Sequence, residues 1–172
     1  MTKSELTKQE KAILLFYLKG TLSDLSKALI FFIFFYALGL HKEFLCGLFF
    51  LIIFRIYSGG IHCKTFMRCL LFSFVILSSG IILGKTVIIS KPLVLGVEAI
   101  CTVIILLCTP VLAATRPALG KDAIKRAKIH EGIVLISFLI YSYFNKTTPL
   151  SNIGVWILIL HTMQILVAKV RR

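Results

Sequence analysis

Charge is scarce in this chain. Charged residues make up 16% of 172 residues, against about 25% in soluble domains. With 58% hydrophobic residues and a mean hydropathy of +0.95, that shortage excludes a soluble globular domain, a disordered chain and a coiled coil. Acidic residues number only 7, and Glu98 alone lies well inside an apolar stretch, so paired intramembrane carboxylates are excluded. The five cysteines are scattered, with no Cys-x-x-Cys pair, so neither a disulfide framework nor a structural zinc site is indicated. His130-Glu131 is followed by Gly132-Ile133 and no second His, so no His-Glu-x-x-His metal motif exists. Ser58-Gly59-Gly60 does not supply the Gly-x-Ser-Gly setting of a rhomboid-like serine protease. No small-x-small cleavage site follows the first apolar stretch, and there is no internal repeat, low-complexity tract or second domain.

What remains is an all-α, polytopic helical membrane protein in one domain, residues 1–172. Six apolar stretches read as spans at about 24–40, 43–57, 66–84, 93–112, 129–144 and 150–168. Those at 24–40, 43–57 and 129–144 are short and call for polar flanks, local thinning or a re-entrant path. Residues 7–20 read as an N-terminal interfacial amphipathic helix. Thr7 and Glu10 make a capping-box pattern, Gly20 a stop, and Leu6, Ile13, Leu14 and Tyr17 an apolar side among lysines. The stretch 113–128 is the one long connection.

Cations set the orientation. With six spans and a cytoplasmic N-terminus, 15 Lys and Arg fall inside, among them Arg55, Lys64, Arg68, Arg116 and the basic cluster at 121–128. The outside holds 4: Lys42, Lys85, Lys91 and Lys146. Lys27 lies just inside the first span. This is a strong positive-inside bias, and dropping the second span would invert every later loop. A net charge of +13 on so apolar a chain points to anionic lipid or an acidic substrate rather than to nucleic acid.

The chemistry concentrates in Arg55-Ile56-Tyr57-Ser58-Gly59-Gly60-Ile61-His62-Cys63-Lys64-Thr65-Phe66-Met67-Arg68-Cys69, placed between spans two and three. A His and a Cys are the minimum for a thiol nucleophile with its base. Cys69 falls in the first turn of span three, where the helix dipole and nearby Lys64 and Arg68 favour a thiolate. On one straight helix His62 and Cys69 would share a face but lie about 10.5 Å apart along the axis, too far for a hydrogen bond. The segment must therefore break, and Gly59 and Gly60 allow the chain to turn back. A single helix over 58–72 would argue against the pair. Cys63 is a rival nucleophile, although sequence neighbours rarely face each other. A metal site from Cys46, His62, Cys63 and Cys69 is a weaker alternative, as is plain packing of a lone His and a lone Cys.

The pattern Arg55-x3-Gly59-Gly60-x-His62-x6-Cys69, set between two apolar spans, resembles the accessory gene regulator B family, bacterial membrane cysteine endopeptidases of quorum sensing. Length, six apolar segments and a basic inner side agree with it. The resemblance implies that His62 and Cys69 are catalytic and that Arg55, Gly59 and Gly60 shape the site. It implies a small propeptide substrate with an acidic C-terminal tail, cleaved through an acyl-enzyme thioester toward a cyclic thiolactone or lactone. It further implies the bacterial cell membrane, contact with its lipids, no cofactor or metal, and self-association as a homodimer. The proline-containing basic loop from Thr109-Pro110 to Arg116-Pro117 matches loosely. Lys64, Arg68 and Arg116 are candidates to meet the tail or lipid headgroups. Arg55 and backbone N–H groups near Gly60 and Cys69 are oxyanion candidates, and Arg55 has an equal alternative in snorkelling to lipid phosphate.

A non-enzymatic peptide exporter or permease subunit would explain the spans and the charge but not the Gly-Gly-x-His-x6-Cys placement. Of the remaining polar groups, Glu98 is assigned to pairing across a dimer or snorkelling outward, with a structural role preferred. His161 and Gln164 are assigned to interhelical hydrogen bonds or the site. His41 and His130 read as interfacial, and the run Phe31, Phe32, Phe34 and Phe35 as lipid-facing or packing.

Overall fold

A computed structural model describes residues 8–60, 65–111 and 121–170. They form six helices: α1 Lys8–Ala37, α2 His41–Ser58, α3 Phe66–Thr86, α4 Lys91–Cys108, α5 Lys121–Phe144 and α6 Pro149–Val170. Five are long and apolar enough to cross a membrane, so the protein is an all-α, multi-pass membrane protein. The sixth, α2, has 18 residues and carries Lys42, Glu43 and Arg55. It is one continuous helix rather than a re-entrant path. The chain alternates direction, so Ser58, Phe66, Cys108 and Lys121 gather at one end of the bundle.

Three boundaries depart from the sequence reading. Residues 8–20 are not a separate interfacial helix: α1 runs unbroken through Gly20. A helical Gly costs only about 1 kcal/mol, too little to stop a helix whose flanks are strong helix formers. α5 begins at Lys121 rather than 129, so half of the expected loop is helical and the span is not short. The lysines and arginine of 121–128 are good helix formers, invisible to an apolar window. α4 ends at Cys108, not 112, because Thr109 precedes Pro110, and a residue before Pro is driven out of the helical region.

α6 is the axis of the bundle. Asn152, Ile153, Ile157, His161 and Ile165 on it are wholly buried, and it packs on α2, α3 and α4. Between helices in lipid there is little hydrophobic drive, so close packing over small residues carries association. Gly80 and Gly84 of α3, four apart, make the groove that admits Ile157 and Ile153. Asn152 closes the end of α3: its Nδ2 donates to the carbonyls of Gly84 at 2.7 Å and Val87 at 2.9 Å. These are groups the helix end leaves unpaired. A Cβ on Gly84 would press on the Ile153 side chain and also stand 2.7 Å from Ile153 Cα and 2.9 Å from its N, backbone atoms that a rotamer change cannot move. Gly84→Val is therefore expected to lower stability by about 1–3 kcal/mol, read as the thermal unfolding midpoint in detergent. Gly96→Ala, with open space around it, should leave the midpoint unchanged or raise it.

Glu98 is buried and accepts from Ser142 Oγ at 2.7 Å. It neither snorkels outward nor needs a second copy for that bond. The Phe run divides by helical period: Phe31 and Phe35 are buried and Phe34 is exposed. Phe35 stacks on Phe44 at 5.3 Å, holding α1 to α2.

Candidate active site

The segment after α2 is shaped by glycine. α2 stops at Gly59 with φ 80° and ψ −144°, a region of backbone space essentially reserved for Gly. Val111 N–H donates to Ser58 O at 2.8 Å, so residues 109–111 run beside 58–60. A Cβ on Gly59 would strike the Val111 carbonyl oxygen well inside contact distance. At Gly60 a Cβ would come 3.1 Å from Arg55 Nε, so the bare Gly60 backbone is what lets Arg55 fold back over it. Arg55 then lines a half-open cavity.

α3 starts again at Phe66, after Thr65, whose Oγ1 accepts from Arg68 N at 3.4 Å. The chain over 58–72 is thus broken, with one helix ending at Ser58 and the next starting at Phe66. Cys69 is in the first turn of α3, with its N–H donating to Thr65 O at 3.1 Å and its thiol partly buried.

Lys27 of α1 reaches that thiol, its Nζ 3.3 Å from Cys69 Sγ. The same ammonium pairs with Asp24 Oδ1 at 2.9 Å and lies 5.5 Å from the Phe66 ring centre. The Lys27 side chain is only 8% exposed, whereas Asp24 is 74% exposed. Between α1, α2 and α3 lies a cavity of about 360 Å³. Its wall is apolar at Phe31, Leu51 and Leu77, and it carries Asp24, Lys27 and Arg55 as its charged groups. Ser73, one turn on from Cys69, also lines it.

His62, Cys63, Lys64 and Arg116 lie outside the described residues. Arg68 is exposed in the first turn of α3. Cys46 is on the other half of the bundle from Cys69, where its Sγ donates to Leu150 O at 3.4 Å. Among the described residues no group of three or more His, Cys, Asp or Glu could hold a metal.

A second polar cluster sits behind α2 at the same end. His161 Nε2 is 2.7 Å from Ser58 Oγ, and Thr109 Oγ1 bonds Glu131. All four side chains are buried. The cluster ties α6 to the end of α2 and α5 to the end of α4, next to the Ser58–Val111 contact. Expected interhelical bonding describes His161 well, and His130 stacks on Tyr57 at 5.3 Å. The sequence reading places Lys27 just inside the first span but gives Lys27, Ser58, Thr109 and Glu131 no role in a site. The available signal was chemical: a lysine and a glutamate inside apolar helices are costly and seldom idle.

The sequence model of accessory gene regulator B matches residues 1–166. The chain belongs to the accessory gene regulator B family. Comparison with curated proteins and with solved structures gave no match. Membership ties the protein to the processing of quorum-sensing peptides.

Proposed function

We propose that the protein is a membrane-embedded cysteine endopeptidase that removes the C-terminal tail of a small signalling propeptide. Cys69 is the nucleophile, His62 the acid–base partner, and Arg55, Gly59 and Gly60 shape the site. The observation that carries this reading is the placement of Cys69. It stands in the first turn of α3, after a helix break, with its sulfur against a buried ammonium. A helix N-terminus and an ammonium can both offset the negative charge of an attacking sulfur. A peptide exporter without covalent chemistry gives no reason for that arrangement.

In the first step Cys69 Sγ forms a bond to the peptide carbonyl carbon and the C–N bond breaks. His62 gives its proton to the leaving amine. An acyl-enzyme thioester and the free tail result. A Cys or Ser inside the retained peptide then passes its S–H or O–H proton to the neutral His62 imidazole and attacks the thioester carbonyl; the C–Sγ bond breaks with its electron pair returning to sulfur, and a cyclic thiolactone or lactone leaves. Thioester exchange is near balance, so ring closure depends on keeping water out, which a nucleophile at the edge of an apolar bundle serves. In this reading the protein lies in the cell membrane with both termini and the site on the cytoplasmic side. Lys64, Arg68 and Arg116 draw in an acidic tail, and copies of the chain pair as a homodimer.

The test is capture of the intermediate. Membranes are given a propeptide whose internal nucleophile is replaced by Ala, so that ring closure is blocked. Mass spectrometry should then find one peptide, shortened by its tail, on Cys69, and neutral hydroxylamine should remove it. Tail release with no adduct on Cys69 would refute the mechanism.

A further inference from the structure

We propose that Lys27 is the charge partner of the Cys69 sulfur, a member of the reactive site contributed by α1. This rests on Cys69 being the nucleophile.

A lysine within an apolar span normally extends its stem so that its ammonium reaches water. Lys27 does otherwise. Its Nζ is turned inward, between Asp24 and Cys69, on a side chain 8% exposed. Asp24 does not explain that burial. It is 74% exposed, and an i, i+3 pair forms equally well on the helix surface. On its inner side the ammonium meets Cys69 Sγ at 3.3 Å and the Phe66 ring at 5.5 Å. A thiol is a weak acceptor and a thiolate a strong one, so the arrangement suits the charged sulfur. Among the described residues, the charged groups around this point are Asp24 and Lys27 from α1 and Arg55 from α2 across the shared cavity, while Arg68, next to Cys69 in sequence, is exposed.

The role is used twice in one cycle. When the thiol ionises, the S–H bond breaks and its proton goes to the His62 imidazole. Lys27 keeps its own protons and donates an N–H to the new anion. Acylation consumes the sulfur's negative charge. At ring closure the C–Sγ bond breaks and its electron pair returns to sulfur, which is again received by the ammonium. Lys27 thus favours Cys69 both as attacking and as leaving group.

The experiment uses the full chain in membranes. Cys69 is alkylated with iodoacetamide from pH 5.5 to 9.5 and followed by mass spectrometry in the wild type, Lys27→Met, Lys27→Arg and His62→Ala. Lys27→Met is expected to slow labelling about tenfold at pH 6.5 and less than about twofold at pH 9.5, where the thiolate forms unaided. Lys27→Arg, which keeps the charge, should restore most of the low-pH rate. If Lys27→Met does not accumulate, Lys27→Gln is read in its place. A Lys27→Met profile that superimposes on the wild type overturns the proposal while leaving the peptidase reading intact. A wild-type Cys69 that is unreactive below pH 7 and indifferent to His62→Ala is a different result, and it overturns the peptidase reading itself.

Discussion

In membranes supplied with the propeptide, Cys69→Ala is expected to reduce tail release by at least about 1,000-fold, because the covalent route is lost outright. His62→Ala should cost about 100- to 10,000-fold, the usual worth of a positioned acid–base group. Cys63→Ala should change the rate by less than about threefold. The comparison between the two cysteines is the informative part. They are six residues apart, and Cys69 is in the first turn of α3 with Lys27 Nζ at 3.3 Å. Protein level must be matched in each variant, since the partly buried Cys69 also packs. Cleavage surviving in both Cys69→Ala and His62→Ala would end the peptidase reading, and loss in Cys63→Ala alone would move the nucleophile.

Gly59→Val is expected to remove activity by a structural route. A side chain there meets two separate penalties. The φ of 80° costs a non-glycine residue about 1–2 kcal/mol, and more for a β-branched one. The added carbon also runs into the Val111 carbonyl, worth about a further 1–3 kcal/mol if the segments must part. Relief requires residues 109–111 to separate from 58–60, which breaks the Val111 N–H bond to Ser58 O and shifts the start of the 59–65 connection. Both a lower unfolding midpoint in detergent and loss of tail release should follow. Gly60→Ala should be milder, because its nearest neighbour is the Arg55 side chain at 3.1 Å, which can move. Equal effects at the two positions would show that the Val111 contact is not what Gly59 protects.

Much of this molecule is readable without coordinates. Membrane residence, six helices and their alternating direction follow from apolar run lengths and the placing of 19 of the 20 Lys and Arg. A helix that must bury its backbone polar groups in lipid has few alternatives. The interruption of the helix after the second span was legible too. The seven-residue spacing of His62 and Cys69 demands a break, and the break is there between Ser58 and Phe66. Gly20 misled because turn residues are read against water, where an unsatisfied helix end is cheap. Within an apolar environment continuing the helix is the less costly course. Lys121–Lys128 misled because charge was read as loop, although lysine and arginine extend helices readily.

Sequence by itself determined an all-α membrane bundle with a helix on each of the six apolar stretches, because that depends on local composition and spacing. Only the tertiary structure decided which distant residues meet. That Lys27, 42 residues before Cys69, turns its ammonium onto that sulfur depends on how α1 lies against α3. That His161 reaches Ser58 across 103 positions depends on α6 occupying the axis. Such contacts are set by groove shape, by Gly80 and Gly84 admitting Ile157 and Ile153, and no one-dimensional pattern encodes the distance between two helices.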